Sequence, residues 1–302
     1  MKSERGSVAW VAAAIGVLLV VLGLPLLLHF GQKRHNRLDF DFEQRFPAGT
    51  PLVSGEVFAA TLAAIVRHEL DGGTGWRPND FVLWGPALAA DNNANRQLGI
   101  LQAVRESVRV FKDHLTKVSS DQFDANLVRA DTAFRNDLLK FWFPSAESKL
   151  REGVRALEAY IEGLHATPPR SRPINLRNVE LIRLFQAWTD LLGDVHARLY
   201  RDDVSFFRTD DEFYYSQGVA HALHYLVLAV AREYREVFAG RAVLVTLLDE
   251  VALPLGKAAR LKPLWVLNGK PDGLCANHRR NLDAFITEAR QKMYSIREEL
   301  EK

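Results

Sequence analysis

The side chains best suited to acid–base chemistry lie near the start of one predicted helix, in residues 209–224. Asp211 and Tyr215 stand four positions apart, so on a helix they share a face. A carboxylate beside a phenol could act as a general base. The competing interpretation is that the acidic run 210–212 stabilises a helix N-terminus through the helix dipole. Asp211 and Tyr215 are therefore catalytic candidates that a structural role would also explain.

Two histidines follow on the same predicted helix. His221 and His224 are three positions apart and share a face, and such a pair can bind a metal ion if carboxylates from another helix complete the site. The sequence identifies no such carboxylates. The alternative is that both histidines lie at a helix–helix contact beside Tyr225 and hydrogen-bond locally. We therefore expect neither a metal site nor a cofactor, and keep His221 and His224 as the residues on which a metal would depend.

Two polar loops offer possible binding surfaces, because long loops with Trp and amide side chains often bind ligands. Asn and Asp also satisfy their own backbone in turns, which is the ordinary explanation of such loops. If the loops meet in space, they form one site, and His278 becomes a third catalytic candidate. The predicted binding residues are Trp76, Asn79, Asp80, Asp91, Asn92 and Asn95 in the first loop and Trp265, Asn268 and Asn277 in the second.

Charge and motif content exclude several classes of function. After residue 37 the chain has 34 basic and 36 acidic residues, so it has no overall attraction for nucleic acid. The sequence contains no phosphate-binding loop, no dinucleotide-binding glycine motif and no H-E-x-x-H or C-x-x-C signature. Cys275 is the single cysteine, so no intramolecular disulfide supports the fold.

Apolar residues recur at intervals of three and four through most of the chain, which predicts an all-α, multi-helix bundle over residues 54–302. Three prolines in the segment ATPPRSRP exclude a helix near 166–173 and mark a possible subdomain break. At the helix ends, Ser54 is predicted to cap one helix that stops at Gly72. Thr209 and Glu212 have the spacing of a capping box for a helix that runs to about Phe238, and Pro254 is predicted to interrupt the next helix. Asn277 or His278 is predicted to begin the last helix.

The N-terminal segment predicts a membrane anchor. No Asp, Glu, Lys or Arg occurs between residues 6 and 30, and a helix of about 20 apolar residues spans the hydrocarbon layer. The apolar run is longer than that of a cleaved signal peptide, which is about 7–15 residues. We predict a tail and transmembrane helix over 1–30, with residues 7–30 in the membrane, and a polar linker over 31–53.

The orientation of this anchor is ambiguous in the sequence. Lys33, Arg34 and Arg37 follow the apolar segment, and a count of positive charges places the following domain in the cytoplasm. Long domains after an anchor can cross the membrane regardless of their charge, however. We favour a periplasmic domain on a single-pass inner-membrane protein and keep the cytoplasmic domain as the alternative.

Three segments together resemble a family of uncharacterised, membrane-anchored bacterial proteins, DUF2333. They are GWRPNDFVLWGPALAADNNANRQLGILQAVRESVRVFKDHL, DEFYYSQGVAHALHYLVLAV and PLWVLNGKPDGLCANH. The likeness extends from about residue 40 to the C-terminus. It implies a bacterial protein attached to a membrane and supplies neither an activity nor catalytic residues.

These observations predict a membrane-tethered, non-catalytic interaction or scaffold protein of the bacterial envelope, whose partners are other envelope or membrane proteins. One alternative is an envelope hydrolase or metal-dependent enzyme that uses Asp211, His221, His224 or His278. A second alternative is a helical bundle that binds an apolar ligand, although a packed core needs the same Leu, Val and Phe residues.

Overall fold

The computed structural model describes residues 10–20, 23, 27, 31, 36–38, 40–47, 49–80, 91–116, 122–201, 203–205, 208–270 and 274–302. The all-α prediction is confirmed: these residues form helices and no strand, with one isolated antiparallel bridge between Asn268 and Asn277. The helices are α1 (described over residues 10–20), α2 (Phe42–Arg45), α3 (Glu56–Asp71), α4 (Asn92–Val110, continued by a π-helical turn at Phe111–Leu115), α5 (Ala125–Phe134), α6 (Ala146–His165), α7 (Asn178–Tyr200), α8 (Thr209–Glu233), α9 (Ala242–Arg260) and α10 (His278–Glu301).

Helix α8 is the centre of the bundle. Residues 216–223 are buried without interruption over more than two turns, so every face of the helix is covered there. It packs against α3, α4, α7, α9 and α10. On one side of α4 and α8, α3 and α5 pack against α6; on the other, α7 and α9 pack against α10.

Two glycines allow α4 and α8 to cross with their backbones in close approach. A Cβ on Gly99 would lie 2.0 Å from the Tyr215 carbonyl oxygen, and a Cβ on Gly218 would lie 2.0 Å from the Arg96 carbonyl oxygen. No side chain fits at either position without moving a helix. The crossing brings the first turns of α4 and α8 together.

The bundle has two ends, which we name by residues of α8. At the Asp211 end, α8 begins beside the end of α7, where Arg198 pairs with Glu212 at 3.3 Å, and beside the start of α10, where Arg279 donates to the Arg201 carbonyl. At the Glu233 end, α8 finishes beside the start of α3. The start of α7 also lies there, against the end of α10, where Asn178 Nδ2 donates to the Leu300 carbonyl.

The segment before α3 runs along the bundle from one end to the other. Leu38, Phe40 and Phe46 in this segment are buried. Three hydrogen bonds to its carbonyl oxygens fix the path: Arg96 Nη2 to Asn36 at 2.7 Å, Tyr225 Oη to Leu38 at 2.7 Å and Arg232 Nη2 to Phe46 at 2.7 Å. The chain therefore joins the bundle at the Asp211 end and reaches the Glu233 end before α3 begins.

Some helix boundaries that depend on local residues were predicted correctly, and others were not. Asn277 does begin α10, accepting from the Arg280 N–H at 3.0 Å, and Gly72 does end α3. The Ser54 cap was wrong, because the N-cap of α3 is Gly55, whose φ of 104° is left-handed, and no local side chain caps it. A remote carboxylate from α8 occupies this position instead.

Three further predictions of helix boundaries were wrong. The Thr209–Glu212 capping box does not form: Arg208 is the N-cap of α8, and the Thr209 hydroxyl donates to the Ser205 carbonyl. Helix α8 ends at Glu233 rather than near Phe238. Helix α9 continues through Pro254 to Arg260, because packing of the buried Val251 and Leu255 holds both sides of the proline in the helix.

The predicted anchor falls partly outside the described residues, which omit 7–9, 21–22, 24–26 and 28–30. Residues 10–20 of it are helical, and their side chains are exposed. Within the part of the chain that the structure describes, none of the helices has the length and apolar character that a membrane crossing requires.

Candidate functional site

The first turns of α4 and α8 bring a cluster of carboxyl groups together at the Asp211 end. Asp91 is the N-cap residue of α4 and is only 8% exposed. Its carboxyl group hydrogen-bonds with that of Asp211, and the Asn95 Nδ2 donates to Asp211 Oδ1 at 2.8 Å. Asp210 lies close enough to act on both carboxyl groups electrostatically. The site combines Asp211, which was predicted as a catalytic residue, with Asp91 and Asn95, which were predicted as binding residues of a loop.

The pKa values of the cluster are raised. Burial, followed by the charges of Asp211 and Asp210, raises the pKa of Asp91 to about 8. Burial, followed by the charge of Asp210, raises the pKa of Asp211 to about 6. Asp91 stands at a helix N-terminus, where the dipole favours an anion, so burial and like-charge repulsion outweigh the dipole here. Near neutral pH the Asp91–Asp211 pair holds one proton.

A carboxyl group and a carboxylate that share one proton can act as an acid and a base in one site. This is the chemistry that the sequence assigned to Asp211, with Asp91 rather than Tyr215 as its immediate partner. The Tyr215 ring faces the Arg198 guanidinium at 4.6 Å, and burial raises the pKa of its phenol. Tyr215 is therefore engaged with α7.

The two predicted metal candidates lie in different surroundings. His221 is 4% exposed, and burial together with the Arg96 charge lowers its pKa well below the usual value. The His224 Nδ1 lies 2.9 Å from the Ala252 carbonyl on α9, and burial lowers the pKa of this histidine. Both rings pack edge-on against Tyr225. Among the described residues, no three His, Cys, Asp or Glu side chains converge as a metal site.

The described part of the first predicted loop is held mainly by contacts within the fold. Trp76 is buried and donates to the Leu138 carbonyl at 3.2 Å, while Asn79 donates to the Lys140 carbonyl and to Glu147. Asp80 pairs with Arg77 at 2.9 Å. The Oδ1 of Asn92 is buried without a hydrogen-bond partner. Residues 81–90 of this loop lie outside the described residues.

The second predicted loop is organised around the start of α10. Asn268 and Asn277 form the isolated bridge, and the Asn277 Nδ2 donates to the Gly269 carbonyl at 2.7 Å. The His278 Nδ1 accepts from the Leu267 N–H at 2.9 Å, so this catalytic candidate is hydrogen-bonded to the backbone of the loop. Trp265 is 73% exposed and is therefore available to a partner. A single site made of both loops stays a prediction.

One surface feature, the connection between α5 and α6, was not predicted from the sequence. Phe141, Trp142 and Phe143 are exposed there, Phe143 at 95%. The signal was present as three consecutive aromatic residues, which belong to no helical or strand period and are followed by a proline. Clusters of exposed apolar side chains mark interaction surfaces.

Comparison with protein families identifies a matching family model. The family model DUF2333, described as an uncharacterised protein conserved in bacteria, matches residues 3–204 and 194–302. Neither the curated proteins nor the solved structures give a significant match.

Proposed function

The chain belongs to the DUF2333 family of uncharacterised bacterial proteins, and on this premise we propose that it is a membrane-tethered interaction protein of the cell envelope. Residues 7–30 anchor it in the inner membrane, and the helical bundle recruits envelope or membrane proteins. The role is non-catalytic: the bundle positions partners at the membrane, where tethering raises their effective concentration.

The main support for this proposal is the exposure of the side chains of α1. Every side chain from 10 to 20 is exposed, including Trp10 at 79%, Leu19 at 67% and Val17 at 64%. An amphipathic helix would cover an apolar face on the domain, but this segment has apolar residues on all faces. The stretch from residue 6 to 30 contains no Asp, Glu, Lys or Arg that would favour water. A lipid bilayer is the environment that suits such a segment.

The proposed side of the membrane is the periplasm, with the bundle following the anchor out of the cytoplasm. Its support is that a long domain can translocate regardless of its positive charge. A C-terminal reporter that is active only outside the cytoplasm tests this orientation, and a reporter that fluoresces only inside tests the cytoplasmic alternative.

Extraction of membranes with alkaline carbonate tests the tether itself. The full chain is expected to stay in the membrane pellet, and the double substitution Leu18→Arg with Leu19→Arg is expected to release it. Val179→Arg with Val243→Arg is the matched control, because these exposed residues lie on α7 and α9. Release of the unaltered chain by carbonate would remove the anchor from the proposal.

An envelope hydrolase is the second candidate, and the shared proton of the Asp91–Asp211 pair favours it. Asp211→Asn would then abolish function without unfolding the protein, whereas an interaction protein tolerates the change. The apolar-ligand alternative has less support. The cavity between α3 and α6, of about 120 Å³, is lined largely by charged residues, among them Arg67, Asp71, Arg151 and Glu158.

A further inference from the structure

The connection between α5 and α6 presents apolar side chains to solvent. Leu139 is 51% exposed, Phe141 46%, Trp142 74% and Phe143 95%. The backbone beneath them is fixed, because Trp76 and Asn79 donate to the carbonyls of Leu138 and Lys140. The fold thus holds an aromatic tip outward rather than letting it collapse onto the core.

The connection between α9 and α10 also presents apolar side chains to solvent. Leu264 is 63% exposed, Trp265 73%, and Leu274 is fully exposed. Its backbone is also fixed, by the Asn268–Asn277 bridge and by the bond from Leu267 N–H to His278. We call these two connections the aromatic loops, residues 139–143 and residues 264–265 with 274.

Both aromatic loops lie at the Asp211 end of the bundle. The first is tied to residues 76–79, and the Arg77 N–H donates to Gln97 in the second turn of α4 at 2.9 Å. The second loop begins at Leu261, whose carbonyl accepts from Gln217 in α8, and ends at α10 beside Arg201. The turns of α4 and α8 that hold Arg96 and Gly218 cross each other, so the two loops share one end.

The chain also joins the bundle at this end. Arg96 Nη2 donates to the Asn36 carbonyl, and the following residues run away from the Asp211 end toward the Glu233 end. Asn36 therefore lies at the end that carries the aromatic loops. The proposed anchor ends at residue 30, and the six residue steps from there to Asn36 can span at most about 20 Å.

We propose that the Asp211 end is a membrane-docking surface, in which the two aromatic loops enter the lipid headgroup region beside the anchor. This inference rests on the proposed tether. A bilayer is favoured over a protein partner because the proposed anchor ends only six residues before Asn36, and that distance keeps the lipid near this end of the bundle. Trp and Phe are residue types suited to the headgroup region.

Charge at the second aromatic loop agrees with a lipid surface. Lys262 and Lys270 flank the second loop and are exposed, whereas Lys140 beside the first loop is offset by the exposed Asp137. A basic side chain near an anionic headgroup adds to the apolar contribution of the aromatic rings. Docking at this end would also orient the bundle, leaving the Glu233 end directed away from the membrane and open to partners.

The single cysteine provides the test. Cys275 is exposed and directly follows Leu274 of the second aromatic loop, so a polarity-sensitive fluorophore on it reports the environment of that loop in the full chain. The chain is reconstituted in phosphatidylcholine–phosphatidylglycerol vesicles, with and without brominated lipid. Two further labelled chains, in a Cys275→Ser background, bear Phe143→Cys in the first loop and Glu236→Cys at the Glu233 end.

Probes at Cys275 and Phe143→Cys are expected to shift to shorter wavelength in vesicles and to lose most of their emission to brominated lipid. The Glu236→Cys probe is expected to change in neither respect. Adding Trp142→Asp and Trp265→Asp should abolish the quenching, while Val243→Asp, which changes an exposed residue of α9, should leave it intact.

Two failures are distinguishable. If the labelled chain floats with the vesicles and resists carbonate, yet both loop probes stay in water, the docking surface is wrong and the tether stands. The loops would then be available to a protein. If the chain does not float with vesicles at all, the tether itself is overturned, and the docking surface with it.

Discussion

The Glu233 carboxylate at the end of α8 accepts a 2.7 Å hydrogen bond from the backbone N–H of Gly55, 178 residues earlier in the chain. The same carboxylate accepts from the Phe58 N–H at 3.1 Å. Glu233 thereby satisfies N–H groups at the start of α3 that a local N-cap would ordinarily satisfy. The start of α3 depends on the end of α8.

Glu233 is expected to make stability depend on pH. Burial raises its pKa from 4.5 to about 7, so the folded state binds its proton more tightly than the unfolded state. Its contribution is complete below pH 4.5 and is lost as pH rises through 7. A shift of this size corresponds to about 3 kcal/mol. Denaturant unfolding of the full chain in mild detergent, at pH 5 and pH 8, measures the loss.

In Glu233→Gln this pH-dependent contribution should disappear, because the amide does not titrate. Glu236→Gln is the matched control, since Glu236 is exposed on the following turn. The assignment would be contradicted if Glu233→Gln lost as much stability between pH 5 and pH 8 as the unaltered chain.

The buried ion pair between Glu69 and Arg96 is expected to be intolerant of losing one partner. Its charged atoms are 3.1 Å apart, and the side chains are 2% and 1% exposed. Glu69→Ala leaves the guanidinium buried without its counter-ion, which costs about 3–5 kcal/mol. Urea unfolding measures this. Glu158→Ala, which removes the partner of Arg67 in an exposed pair, should cost no more than about 1 kcal/mol.

The crossing of α4 and α8 is expected to be too close to accommodate even one added methyl group. Gly99→Ala or Gly218→Ala gains helix propensity of about 1 kcal/mol, yet the new Cβ would meet a backbone oxygen at 2.0 Å. The clash prevails, and we expect a net loss of about 1–3 kcal/mol, seen as a lower Tm. Gly240→Ala is the control, because a Cβ added there would have no atom within 4 Å. Equal Tm values for all three variants would refute a tight crossing.

Replacing Asp91, the protonated member of the Asp91–Asp211 pair, should change how stability depends on pH. The raised pKa values of Asp91 and Asp211 make the folded state retain protons, so their contribution to stability falls as pH rises through about 6 and 8. Asp91→Asn should reduce that fall between pH 5 and pH 9, as measured by urea unfolding. Asp249→Asn removes the same charge from an exposed position on α9 and should leave the fall unchanged. A steeper fall in Asp91→Asn would be incompatible with the pair.

The sequence by itself determined where most helices lie and which faces they bury. Leu98, Leu101 and Val104 recur with the period of an α-helix, and that period depends only on neighbouring residues. The cap at Asn277 and the stop at Gly72 are also local, since each acts within about one turn. These features could be predicted because the interactions that produce them join residues close in the chain.

The tertiary structure alone decided what joins distant segments. Glu233 caps α3, Asp91 contacts Asp211, and α9 continues through Pro254 because of packing. No local sequence pattern predicts any of these three features. The physical reason is the same in each case. A buried carboxylate, a shared proton or a proline in a helix is stabilised by groups that only the close approach of packed helices supplies. The sequence identified Asp211 as a candidate, and the crossing at Gly99 and Gly218 gave it its partner.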